Sequence, residues 1–206
     1  MPNHRLKLGA LVSGRGTNLQ SIMDHIQQKK LDAELRLVIS NKAAAPALER
    51  ARRRGVKAVF QDPADCATRE DYDMALADQL RQAEVDLVCL AGYMRLLTPP
   101  FIQAFPGRII NIHPSLLPAF PGLHVQRKAL DYGVKISGCT VHFVDEEVDH
   151  GPIILQAAVP VLDTDDAQSL AARILEEEHR IYPQAIQLIA EKRLRVENRR
   201  VRETSP

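Results

Sequence analysis

Short apolar runs ending in small or polar residues recur along the first half of the chain. Residues 6–12 (LKLGALV) stop at Ser13-Gly14, and 33–39 and 56–60 have the same character, as strands do when both faces of a sheet are covered. Between them, 17–28 sets Leu19, Ile22, Met23 and Ile26 on one helical face, while 46–54 opens on Pro46 and stops before Gly55, a helix start and stop. A helix over 69–83, with Tyr72, Ala75, Leu76 and Leu80 on one side, leads to a buried strand at 86–91. A short proline-started helix at 99–105 and a fifth strand at 108–112 come next. Such alternation implies an α/β fold: a mostly parallel central sheet with helices on both faces.

The second half changes rhythm. A helix is expected over 124–132 and strands over 136–144 and 153–161, joined by the acidic loop DEEVDHG. A long helix over 166–191 is expected to be interrupted at Pro183, since proline lacks the N–H that a helix interior needs. The tail RLRVENRRVR reads as an edge strand or a frayed end. In open parallel sheets ligands gather beyond the carboxyl ends of the strands, so Ser13-Gly14, Ser40-Asn41, Gly92-Tyr93 and Asn111 to His113 are expected on one rim.

Charge changes this picture little. Lys and Arg number 27 against 26 Asp and Glu, a formal net charge of +1, so nothing chain-wide pulls toward nucleic acid or an anionic membrane. Small-molecule partners are the default. No apolar run reaches the 18 or so residues of a membrane span, and no signal-peptide pattern precedes Ser13. Cys66, Cys89 and Cys139 are odd in number, with no C-x-x-C pair; a cytoplasmic chain with reduced thiols is expected, Cys89 and Cys139 serving as core.

Candidate chemistry concentrates on the rim. Ser13-Gly-Arg-Gly-Thr-Asn18 joins the first strand to the first helix, where glycines let the backbone approach an anion and helix N–H groups meet it. The bland alternative is a tight turn. A dinucleotide site would want a third glycine where Asn18 stands and a carboxylate after the second strand, but Ser40-Asn41-Lys42 is there instead. The loop therefore suits a phosphate monoester.

At the fifth strand, Asn111 and His113 share side-chain parity, so an amide donor and a proton carrier point to one face. Pro114, Pro118 and Pro121 stiffen the loop beyond this strand; an ordered surface connection is the competing reading. Of the four carboxylates in 145–149, Asp149 is the choice to hold His113, against the alternative of a solvated acidic turn. His142 faces either this site or only the sheet. Neither a G-x-S-x-G elbow beside Ser115 nor zinc-type spacing around His113, His142 and Asp149 is present. Arg50, Arg52, Arg53 and Arg54 read as a solvated helix face.

These residues carry a resemblance. Ser13-Gly-Arg-Gly-Thr-Asn-Leu19, Ser40-Asn-Lys42, Leu90-Ala-Gly-Tyr-Met-Arg95, Asn111-Ile-His-Pro-Ser-Leu-Leu-Pro118, Phe120-Pro-Gly-Leu-His124, Val141-His-Phe-Val144, Asp149-His-Gly-Pro152 and Glu178-His179 are together similar to the folate-dependent formyltransferases, most closely those of purine synthesis. The resemblance implies one Rossmann-like formyltransferase domain over 1–206, with antiparallel strands toward the C-terminal part. Residues 1–100 would form a phosphoribosyl-binding half and 101–206 a catalytic and folate-binding half. It implies formyl transfer from 10-formyltetrahydrofolate, as co-substrate and without metal, to the amine of 5-phosphoribosylglycinamide.

By the same resemblance, Asn111, His113 and Asp149 are catalytic and Gly16, Thr17, Asn18 and Glu178 meet the nucleotide substrate. Arg69, Met94, Arg95, Leu96 and Leu97, with Asn111, surround the folate. A monomer or weak homodimer without nucleic-acid or membrane partners is expected. Arg15 and His150 depart from the commonest pattern without removing a role. Competing readings are hydrolysis of the folate, formylation of initiator tRNA, both disfavoured by chain length, and a silent nucleotide-binding module.

Overall fold

The computed structural model describes residues 5–204. Contacts divide the chain into two compact units that meet between Ile110 and Asn111. The first contains β1 (Leu6–Val12), α1 (Thr17–Gln27), β2 (Ala33–Ser40), α2 (Pro46–Arg53), β3 (Lys57–Phe60), α3 (Arg69–Gln82), β4 (Leu87–Leu90) and α4 (Pro99–Ala104). Its strands lie in the order β3-β2-β1-β4, all parallel. Leu8, Ala10, Leu11 and Val12 of β1 are fully buried, as the apolar run requires of a central strand.

Register decides where this unit's loops emerge. Val12 is opposite Ser40, Ser40 is opposite Phe60, and Leu11 is opposite Leu90. The residues after β1, β2 and β4 therefore leave the sheet side by side, which puts Ser13, Asn41 and the Gly92 turn on one edge. α1 buries Leu19, Ile22 and Met23 on the face its periodicity marked out. α3 is closed by a capping box in which Thr68 and Asp71 bond each other's backbone N–H, so Arg69 is fixed as its first residue.

β5 (Ile109–His113) lies across the division. The second unit then holds α5 (Val125–Tyr132), β6 (Ile136–Phe143), β7 (Ile153–Pro160), α6 (Ala167–Ala190), β8 (Leu194–Glu197) and β9 (Arg200–Glu203). β6 and β7 are antiparallel, β9 joins β7 in parallel at Ile153 and Arg200, and β8 closes the edge antiparallel to β9. The α/β class is the expected one, with parallel strands first and antiparallel strands toward the C-terminal part. The tail, left open between two readings, is an edge hairpin.

One expectation fails. α6 runs unbroken through Pro183 for 24 residues. Proline costs a helix about 3 kcal/mol, whereas each large apolar side chain buried contributes about 1.5–3 kcal/mol. Ile181, Tyr182, Ala185 and Ile186 are all buried around it, so packing against β6 and β7 outweighs the missing hydrogen bond. Among the described residues, no helix is long and apolar enough to cross a membrane.

At Gly138 β6 has no room for a side chain: a Cβ there would fall on the Ala157 carbonyl oxygen and 2.8 Å from Leu116 Cδ2. A backbone oxygen cannot yield without breaking the ladder. Gly138→Ala should therefore destabilise by about 3 kcal/mol, the upper end of ordinary overpacking, lowering the melting temperature by roughly 6–12 °C for a chain of this size. A thermal melt displaced by under about 2 °C would show that the strands can separate freely.

Candidate active site

The loop after β1 is built to turn its carbonyls away from the rim. Gly14 O accepts from Ala47 N at 3.2 Å, Arg15 O from Arg50 Nε at 2.9 Å, and Gly16 O from Gln20 N at 2.9 Å. The turn thereby leads straight into the N-terminus of α1, the end of a helix at which N–H groups can meet an anion. Gly16 is indispensable to the turn: its φ is 71°, and a Cβ would lie 2.6 Å from Ala47 Cβ and 2.9 Å from Ala47 Cα. Thr17 opens the helix and Asn18 is buried within it. Arg50, read from sequence as part of a solvated face, instead buttresses this loop, because its half-buried guanidinium reaches back to the Arg15 carbonyl.

Ser13 links three segments of the same unit. Its N–H donates to Gly92 O at 3.0 Å, its hydroxyl donates to Asn41 Oδ1 at 2.6 Å, and that hydroxyl oxygen accepts from Met94 N at 2.8 Å. The 94–97 segment is held further on by Arg69, whose Nη2 donates to Leu96 O at 3.0 Å. The Arg95 guanidinium folds back over the Tyr72 ring, 4.8 Å from its centroid, a cation–π arrangement. Burial pushes both the Tyr72 and Tyr93 hydroxyls above the ordinary tyrosine value. With Arg95 tucked in, Met94 and Leu96 stand 64% and 57% exposed, an apolar surface suited to a ligand. Leu97 beside them is half-buried.

In the second unit Asn111, His113 and Asp149 converge, as strand parity anticipated for the first two. Asp149 Oδ2 accepts from Gly122 N at 2.8 Å and stands 3.3 Å from His113 Nδ1, while its Oδ1 is 3.5 Å from Asn111 Nδ2. His113 is buried, and its Nε2 donates to Phe120 O at 3.0 Å. Both ring nitrogens therefore face oxygen atoms. Asp149 takes a left-handed φ of 51°. The turn behind it requires Gly151, where a Cβ would strike the Phe143 carbonyl.

His142, left between two readings, belongs to this cluster. Its Nδ1–H donates to Phe143 O at 2.7 Å, so Nε2 is the acceptor, 3.2 Å from Asn111 Nδ2. Burial holds the ring below the ordinary histidine value of 6.5, opposed by the bond to Phe143 and the nearby Asp149 charge. Asn111 thus has one N–H directed to a neutral imidazole and a second only loosely directed to a carboxylate.

Glu178 is placed on α6, buried; burial, reinforced by that carboxylate, pushes the Cys139 thiol up to about 12. What sequence reasoning missed is mostly backbone. The Phe120 carbonyl and the Gly122 N–H carry no side-chain signal. The Ser13 link was signalled only by its place after a strand.

Three comparisons bear on this arrangement. The formyl transferase family model matches residues 6–186. The chain is 44% identical over 191 residues to phosphoribosylglycinamide formyltransferase of Escherichia coli, covering 93% of this chain and 90% of that protein. It is 50% identical over 193 residues to the trifunctional purine biosynthetic protein adenosine-3 of Drosophila pseudoobscura pseudoobscura, of whose length it spans 14%. Its structure is similar to the crystal structure of glycinamide ribonucleotide transformylase 1 from Symbiobacterium toebii, with a TM-score of 0.97 at 58% identity over 98% of this chain and 95% of that one. Family match, identity and fold agree: the chain belongs to the formyl transferase family.

Proposed function

We propose that this protein transfers the formyl group of 10-formyltetrahydrofolate to the amine of 5-phosphoribosylglycinamide, a step of purine synthesis. The observation that carries the reading is one carboxylate, Asp149, holding Asn111 on one oxygen and His113 on the other. The names of the relatives above support the acceptor, and the anion loop supports its phosphate. In this reading Gly16, Thr17, Asn18 and Glu178 bind the phosphoribosylglycinamide. Arg69, Met94, Arg95, Leu96 and Leu97, with Asn111, bind the folate.

The chemistry comes from the donors. The neutral amine attacks the formyl carbon, a C–N bond forms, and negative charge builds on the formyl oxygen. His113 Nε2–H, bonded to Phe120 O in this structure, shifts to that oxygen. So does the Asn111 N–H whose contact with Asp149 is already at the 3.5 Å limit. Donors placed where charge develops stabilise the transition state more than the ground state. The tetrahedral intermediate collapses by breaking the bond from the formyl carbon to the folate nitrogen. His113 gives its Nε2 proton to that nitrogen and takes one back from the attacking nitrogen, while Asp149 keeps the ring aligned. His142, neutral, holds the other Asn111 N–H and so fixes the amide's direction.

Incubation with both substrates should release tetrahydrofolate only when the ribonucleotide is present; formate release without acceptor, or no turnover, would overturn the assignment. His113→Ala should lower kcat by about 10²–10⁴-fold and Asn111→Ala by about 10²–10³-fold, each with KM for the ribonucleotide little changed. A full rate in His113→Ala would sink the mechanism while leaving the substrates standing.

His142 also makes a pH prediction. The unfolded chain protonates this ring near pH 6.5 and the folded chain only at lower pH. Stability tied to the neutral ring is therefore complete above that value and is lost as pH falls through the folded one. In urea melts, His142→Gln should flatten the decline between about pH 7 and 5. An unchanged slope would show that another group titrates.

A further inference from the structure

The loop that carries Asp149 is held from a direction the reaction does not use. Arg199 stands in the turn between β8 and β9, and its Nη2 donates to the His150 carbonyl at 2.6 Å. Its Nη1 lies 2.8 Å from His150 Nε2 and 3.1 Å from Nδ1. His150 Nδ1 in turn is 2.9 Å from Asp145 Oδ2, with Glu147 Oε1 at 3.9 Å. A guanidinium has only donors, so Nε2 accepts from it, and the single proton of the ring sits on Nδ1 and is given to Asp145. The loop is thereby tied at its start by Asp145 and beside Asp149 by His150. The pairing of Ile153 with Arg200 brings the hairpin to it.

This bracing meets a need visible in the backbone. Asp149 is in the left-handed region, which aspartate enters more readily than most L residues when its side chain bonds locally, and here that side chain is turned elsewhere. Its own side chain is committed to Gly122, His113 and Asn111, so the hold must also come from its neighbours. The carbonyl that Arg199 takes belongs to the next residue. The His150 side chain is 42% exposed, where hydrogen bonds and ion pairs add little to global stability; their effect is local geometry.

We propose that Arg199 is a positioning residue for the transfer reaction: from the C-terminal hairpin it fixes the His150 carbonyl, and with it the left-handed turn that aims the Asp149 carboxylate at Asn111 and His113. It touches no reacting atom. The inference rests on the role of Asp149 given above.

The test is kinetic. Arg199→Ala should lower kcat about tenfold, since small misplacements of a catalytic group cost up to about 10²-fold, with KM for the ribonucleotide changed by less than about twofold and a melting temperature within about 2 °C. Arg199→Lys, whose ammonium still reaches a carbonyl, should recover about half of the lost rate. Arg202→Ala, on the same hairpin and paired with Glu197, should keep the full rate. In an Asp149→Asn background, Arg199→Ala should cost nothing more, because the residue it acts through is already gone. A full kcat in Arg199→Ala, or an undiminished second loss in that background, overturns the proposal. If the unaltered protein transfers no formyl group, the functional reading fails instead, and amide exchange of residues 145–151 then decides: faster exchange in Arg199→Ala supports the brace, and unchanged exchange overturns it.

Discussion

A single carboxylate divided among three partners organises the second unit. Asp149 gives one oxygen to the Asn111 amide and the other to the His113 ring and the Gly122 N–H. Three stretches of chain, a strand end, a proline-rich turn and an acidic loop, are thus tied to one side chain only 12% exposed. Hydrogen bonds to a charged, nearly dry acceptor are the strong ones. Removing the carboxylate would leave buried donors unpaired around it, a cost larger than that of any one bond.

The first unit solves a different problem with the same economy. The phosphate-binding role proposed for its glycine loop calls for N–H groups at the surface, and an unsupported loop would turn its carbonyls there just as readily. Donors from α2, Ala47 N and Arg50 Nε, take two of those carbonyls, and α1 itself takes the third. The helix N-terminus is then the positive end of a fixed array. Close packing of Gly16 against Ala47 leaves the loop no room to rearrange.

The sequence showed its regular elements well because their signal is periodic. Leu19, Ile22 and Met23 on α1, and the apolar run of β1, pack as their spacing says. Pro183 misled because a local rule was outweighed by burial spread over a whole helix face. The tail stayed ambiguous because Val196 and Val201, opposite each other, are too few apolar residues to mark a hairpin. At the site, Asn111 and His113 could be paired from strand parity, whereas His142 could not be placed, since the partner that decides it lies 31 positions away. Arg50 and Arg199 were unreadable for a related reason: each acts on a distant carbonyl, and every residue has one.

The Ser13 link described above has a consequence of direction. A hydroxyl has one proton, and once Ser13 has accepted from the Met94 N–H, that proton goes to Asn41 Oδ1. The Asn41 oxygen is thereby turned to Ser13, at the strand-end edge that also carries the loop after β1. A backbone amide 81 positions from the serine and a side chain 28 positions from it thus share one hydroxyl, so that a shift of the turn after β4 is felt at the end of β2 through a single oxygen atom.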